Sequence, residues 1–184
     1  MAARRRSGEL RRLGNQYLSE LIKQMAGSAE CLRMAARVFV YGTLKRGEPN
    51  HQWLTKKENG QAKYLGKGIT AIKFPLVVGT RYNIPFLLAC PGVGNNIEGE
   101  VYEVDQAMFS KLDELEDYPN YYDREEQTIL VEENETTQCW LYLIRNFPDK
   151  MLTKELLTSY HNTPEQPYSE NYLDSCPDDL VMDD

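Results

Sequence analysis

Between Arg37 and Ile144 the chain breaks into seven short runs of strand-forming residues, and no other feature constrains its fold as much. The runs are Val38–Tyr41, Lys63–Thr70, Leu76–Val78, Phe86–Cys90, Ile97–Val104, Gln127–Glu132 and Gln138–Ile144. Turn sequences fall between them: Glu58-Asn59-Gly60, Pro91-Gly92-Val93-Gly94-Asn95 and Glu133-Asn134-Glu135. Strands this numerous and this short predict a strongly curved sheet or a barrel.

One helix interrupts them, from Gln106 to about Asp117, with Asp105 as its N-cap. With ~100° per residue, Met108, Phe109, Leu112 and Leu115 define one apolar face. Asp113, Glu114 and Asp117 lie ~110–150° from its centre, on the solvent side. Glu116 lies only about 50° away, at the edge of the buried face. A carboxylate aimed at a core is costly unless it is paired or used. At a helix C-terminus the macrodipole also disfavours an anion, which raises its pKa and suits it to act as a base near neutral pH. From the helix alone two readings stay open. Glu116 is a general base, or it packs its stem and reaches water or Arg124.

The first run ends in Tyr41-Gly42-Thr43-Leu44-Lys45-Arg46-Gly47. A turn after a strand leaves backbone N–H groups without ladder partners, and such concavities bind anions. Gly42 lets the backbone approach a ligand closely. Lys45 and Arg46 read as a solvated turn. The segment lacks the G-x-x-x-x-G-K-[ST] pattern of a phosphate-binding loop.

Flanking segments read differently. Residues 1–36 form a basic extension with apolar residues at helical spacing from Leu10 to Ile22, and Met34 is an alternative start. Residues 37–148 form the domain. Residues 149–184 supply a terminal helix over 150–160 and then an acidic tail without fixed structure, tacked down by Tyr168 or Tyr172. The extension carries +4 of a net −7, which leaves −11 elsewhere. So acidic a body argues against a nucleic-acid partner. Cys31, Cys90, Cys139 and Cys176 show no paired spacing, and His51 and His161 are the only histidines. Free thiols in a cytoplasmic setting are expected, with Cys90 and Cys139 as buried small hydrophobes, and no metal site. No apolar run is long enough to span a membrane.

The strand entering Tyr41-Gly42-Thr43-Leu44, then Gly99-Glu100-Val101-Tyr102-Glu103-Val104, then Leu112-Asp113-Glu114-Leu115-Glu116, resembles the γ-glutamylcyclotransferase-like family, and within it the γ-glutamylamine cyclotransferases. The likeness covers roughly 37–145. It includes "VFVYGTLKRGEPNH", "FPLVVGTRYNIPFLL" and Tyr122-Asp123-Arg124. It implies a small mixed, mostly antiparallel β-barrel with peripheral helices. It implies that Tyr41, Gly42, Thr43 and Leu44 bind a γ-glutamyl group, and that Glu116 is the acid/base. It implies a cofactor-free enzyme that releases an amine, such as lysine from γ-glutamyl-ε-lysine, and 5-oxoproline; a monomer is expected. Alternatives are a cyclotransferase acting on γ-glutamyl amino acids or glutathione, and a binding module of the same fold. Glu100, Tyr122 and Asn83-Ile84-Pro85 are candidates for shaping the pocket, with Ile84-Pro85 a candidate cis bond. Trp53 and Trp140 read as core or barrel wall.

Overall fold

A computed structural model describes residues 34–132 and 135–169. The expected N-terminal helix, most of the Glu133-Asn134-Glu135 turn and Tyr172 lie outside the described residues. All seven expected strands form: β1 Met34–Val40, β2 Ala62–Phe74, β3 Leu76–Gly79, β4 Ile84–Leu87, β5 Asn95–Asp105, β6 Asp123–Leu130 and β7 Thr136–Leu143. Five close into a barrel in the order β1-β5-β2-β6-β7, and β3 and β4 form a separate two-stranded sheet. The β2–β5, β2–β6 and β6–β7 pairs are antiparallel, while β1 meets β7 in parallel with Val38 opposite Trp140. The fold is α+β with a small mixed barrel.

The unbroken apolar run of β1 has a physical cause. Phe39 and Tyr41 point into the barrel interior with Phe74, Ile97, Val101, Ile129 and Leu141. Val38 and Val40, on the opposite face, pack into a second core with Phe86, Tyr102, Met108, Phe109 and Leu112. Both faces of β1 are covered, so neither can be polar. Where β1 crosses β5 the chains nearly touch. A Cβ on Gly99 would lie 2.5 Å from both the Phe39 ring and the Val40 carbonyl oxygen.

Among the described residues two α-helices join this frame, α1 over Gln52–Thr55 and α2 over Gln106–Leu115. The single turn α1 has no counterpart in the sequence pattern, because four residues carry no periodicity. Asp105 caps α2 as expected, its carboxylate accepting from Met108 N–H at 2.8 Å. Met108, Phe109 and Leu112 bury as the periodicity predicts.

The helix expected over 150–160 does not form. A 3₁₀ turn covers Asp149–Thr153 and sinks Met151 into the core. Beyond it the chain extends: Leu157 N–H donates to Leu76 O at 2.8 Å, and Tyr160 is 2% exposed. An open edge of β3 offers this segment ladder hydrogen bonds, and that tertiary opportunity overrides helix propensity. The following residues are fastened as well. Tyr168 accepts from Asn50 Nδ2 at 2.8 Å, so the tail is tied to the domain at least to Ser169.

Candidate active site

Tyr41 leaves β1 with its hydroxyl donating to Tyr142 O at 2.8 Å. The chain then winds through successive turns: Lys45 N–H donates to Gly42 O, Glu48 N–H to Lys45 O, and Asn50 N–H to Thr43 O. Among the described residues, no backbone acceptor takes the N–H groups of Gly42, Thr43 or Leu44. They are the unladdered donors that the sequence led one to expect.

Lys45 is not solvated, whereas Arg46 is exposed as expected but paired. Lys45 is 6% exposed, with its Nζ donating to Tyr160 O at 2.5 Å and Ser159 Oγ at 3.2 Å. Burial draws its pKa down. Arg46 donates to Glu100 from both its backbone N–H and its Nε, each at 3.0 Å, and its guanidinium lies 3.6 Å over the Tyr64 ring. Glu100 also accepts from the Tyr102 hydroxyl at 2.9 Å. Burial pushes the Glu100 carboxyl up, but the donors from Arg46 and Tyr102 outweigh it and hold the group below the usual range. Glu100 therefore anchors the loop from outside and does not line the cavity below.

The second component comes from the end of α2. Glu116 is the C-cap, its N–H donating to Leu112 O at 3.0 Å. Asp117 follows with φ +48°, donating to Glu114 O, and Tyr118 N–H donates to Asp113 O at 2.9 Å. These paired bonds close a Schellman motif, with aspartate where glycine is usual. Tyr122 N–H then donates back to Glu116 O. Glu116 is thus held on both sides, although the helix proper stops one residue before it. The candidate Ile84-Pro85 bond is not cis; among the described residues Tyr118-Pro119 is.

Loop and helix end meet around a cavity of about 400 Å³. Tyr41, Gly42, Thr43, Leu44 and Glu116 all line it, with Ile84, Pro85, Tyr121, Tyr122, Tyr142 and Tyr168 among the remaining walls. Asn83 does not; its amide donates to Pro167 O at 2.9 Å. Glu114, Glu116 and Asp117 are carboxylates on this lining, which holds no lysine, arginine or histidine. Loss of water around the half-buried Glu116 pushes its carboxyl up to about 7. Burial, and then the Glu116 charge, push the Tyr41 phenol well up, so these groups sense each other across the cavity.

Arg124 does not serve Glu116. It binds Asp113, at 2.5 and 2.6 Å to its two oxygens, and Tyr142 donates to Asp113 at 2.8 Å. The Arg124 guanidinium stacks between Phe109, at 4.3 Å, and Tyr118, at 4.4 Å. Asp113, expected in solvent, is a structural partner. An isolated helical wheel cannot register β6 and β7 passing along the flank. Tyr121 was not foreseen. Its hydroxyl is buried without a protein partner, and burial pushes its pKa up to about 12. The Tyr121-Tyr122 pair just after the helix was the available signal. Trp140 packs beside Phe109 and Trp53 against the same core, and Cys139 is buried while Cys90 is partly so. Among the described residues no helix is long and apolar enough to cross a membrane.

A profile of the family described as "Gamma-glutamyl cyclotransferase, AIG2-like" matches residues 38–162. A Drosophila melanogaster protein named "Putative gamma-glutamylcyclotransferase CG2811" is 83% identical over 142 residues, covering 77% of this chain and 90% of that one. Mouse gamma-glutamylaminecyclotransferase is 38% identical over 144 residues, covering 74% and 95%. The crystal structure of a mouse AIG2-like protein superposes with a TM-score of 0.70 at 39% identity, covering 73% of this chain and 95% of that one.

Proposed function

The chain belongs to the gamma-glutamyl cyclotransferase, AIG2-like family, and from that premise we propose that it cleaves γ-glutamylamines such as γ-glutamyl-ε-lysine into 5-oxoproline and the free amine. The observation that carries this reading is a half-buried carboxylate, its pKa pushed up to about 7, in one cavity with a loop of unpaired N–H groups.

The chemistry follows from the substrate. Its own α-amino group is the nucleophile, so no serine or cysteine is needed. That group is an ammonium at neutral pH. Ionised Glu116 takes one proton, and the freed amine attacks the γ-carbonyl carbon to form a five-membered ring. Negative charge grows on the carbonyl oxygen, where the N–H groups of Gly42, Thr43 and Leu44 are the available donors. Glu116 returns the proton to the leaving nitrogen, the C–N bond breaks as the carbonyl re-forms, and the ring nitrogen sheds its second proton by way of Glu116 to the released amine, which leaves as an ammonium beside neutral 5-oxoproline. A pKa near 7 suits one group to both transfers. Holding the glutamyl chain bent, amine against carbonyl, supplies the proximity advantage of a unimolecular attack.

The acidic lining favours the amine reading over glutathione. The lysyl leaving group of γ-glutamyl-ε-lysine carries one ammonium and one carboxylate. The cysteinylglycine of glutathione carries a carboxylate without a compensating free ammonium while still bound. The Glu114 carboxylate is paired with Lys111 at 2.8 Å, which leaves Glu116 and Asp117 as wall carboxylates with no cation among the described lining residues, and the cysteinylglycine is disfavoured by like charge. The test incubates purified protein with each substrate, with and without EDTA, and follows 5-oxoproline. Turnover of γ-glutamyl-ε-lysine, preferred over glutathione and retained in EDTA, is expected. Preference for glutathione would overturn the substrate, and complete loss in EDTA the metal-free chemistry.

A further inference from the structure

The family profile ends at residue 162, yet the next residues reach the cavity. Glu48, in the substrate loop, accepts from Asn162 N–H at 2.9 Å and contacts His161 Nδ1 at 3.2 Å. The Asn162 side chain accepts from Tyr168 N–H at 2.7 Å. Asn83 Nδ2 donates to Pro167 O at 2.9 Å, and Ser169 N–H donates to Tyr82 O at 3.1 Å. Residues 161–169 thus form a strap running from the substrate loop to the β3–β4 turn. It delivers one side chain, Tyr168, to the cavity wall.

Tyr168 meets the loop through Asn50. Asn50 is 6% exposed. Its Nδ2 donates to Tyr168 Oη at 2.8 Å and to Thr43 Oγ1 at 3.1 Å. Its backbone N–H donates to Thr43 O at 2.9 Å. Both amide hydrogens of Asn50 are therefore used, one on each side of a bridge from strap to loop. Without the phenol oxygen, a buried N–H loses its acceptor, and the side chain that fixes Thr43 is free to turn.

We propose that Tyr168 is a positioning residue for substrate binding, which acts through Asn50 to hold the Thr43 backbone where it receives the γ-glutamyl group. This rests on the reading of residues 41–44 as the γ-glutamyl site. Glu116 is not part of the bridge, so binding and chemistry separate.

The test is steady-state kinetics of the full chain with γ-glutamyl-ε-lysine. Tyr168→Phe keeps the ring and removes only the acceptor. KM should rise roughly 5- to 100-fold, the range for a stranded buried donor, while kcat stays within about twofold. Asn83→Gly cuts one further anchor of the strap, and glycine tolerates the φ of +55° there. It should raise KM by a smaller factor. Gln166→Ala, exposed on the strap, should change neither. In the Asn50→Ala background, Tyr168→Phe should add nothing, because the bridge is already gone. An unchanged KM in Tyr168→Phe, a loss confined to kcat, or effects that multiply with Asn50→Ala would each overturn the proposal. If the unmodified protein cleaves no γ-glutamylamine, the reading of the loop fails separately. Hydrogen exchange then decides the strap. Tyr168→Phe should speed exchange at the Thr43 and Leu44 amides without a change in global stability, and unchanged exchange there sinks it.

Discussion

Replacing Glu116 with glutamine separates the charge of this carboxylate from its shape. In the unfolded chain the group has its ordinary pKa of 4.5, and in the fold burial pushes it to about 7. Between those values the native state keeps a proton that the unfolded state has released. Stability therefore falls as pH rises through 4.5 to 7, and the whole penalty is present above 7. The interval corresponds to ~3 kcal/mol at 1.36 kcal/mol per pH unit. Glutamine cannot ionise and escapes the penalty. Glu116→Gln should melt with the unmodified protein at pH 4 and roughly 6–12 °C above it at pH 8, at ~2–4 °C per kcal/mol for a chain of this size. The same substitution removes the proton acceptor, so kcat should drop by ~10²–10⁴. In the unmodified enzyme, kcat/KM should fall on the acid side with an apparent pKa of about 7. Thermal melts at the two pH values and a 5-oxoproline assay supply the measurements. A melting offset independent of pH would refute the buried-charge reasoning. Near-normal turnover in Glu116→Gln would refute the assignment of the base.

Asp113→Ala should destabilise by ~1–3 kcal/mol in urea titration, because Arg124, 18% exposed, loses its carboxylate partner. Glu114→Gln, on the exposed side of the same helix, should change stability by less than ~0.5 kcal/mol. A Cβ added at Gly42 would lie 2.9 Å from Pro85 Cγ on the cavity wall. Gly42→Ala should accordingly raise KM by about tenfold, while a melting curve shifts little. We also propose that residues 1–33 are dispensable for chemistry: their removal should leave kcat and KM within about twofold, and a folded but inactive product would refute this.

The local code of this chain is strong, and local features were legible in it. Each of the seven runs became a strand because β-forming residues sit between turn residues. Asp105 capped α2 because aspartate before an apolar-periodic run has little else to do. Glu116 stood out because its angle on the helix set it apart from its acidic neighbours, and the structure does turn it into the cavity. What the sequence could not hold were contacts between residues far apart along it. Lys45 pairs with Tyr160 O across 115 positions, Arg46 with Glu100 across 54, and Asn50 with Tyr168 across 118. No periodicity encodes such meetings, so Lys45 looked solvated, Arg46 looked unpaired and the strap looked unstructured. The same limit hid the partner of Asp113 and the role of 154–160, which found an open strand edge rather than a helix. Propensity and pattern act over one or two turns of chain. Burial and long-range hydrogen bonds, which decide what a charged side chain costs and whom it serves, exist only once the barrel has closed.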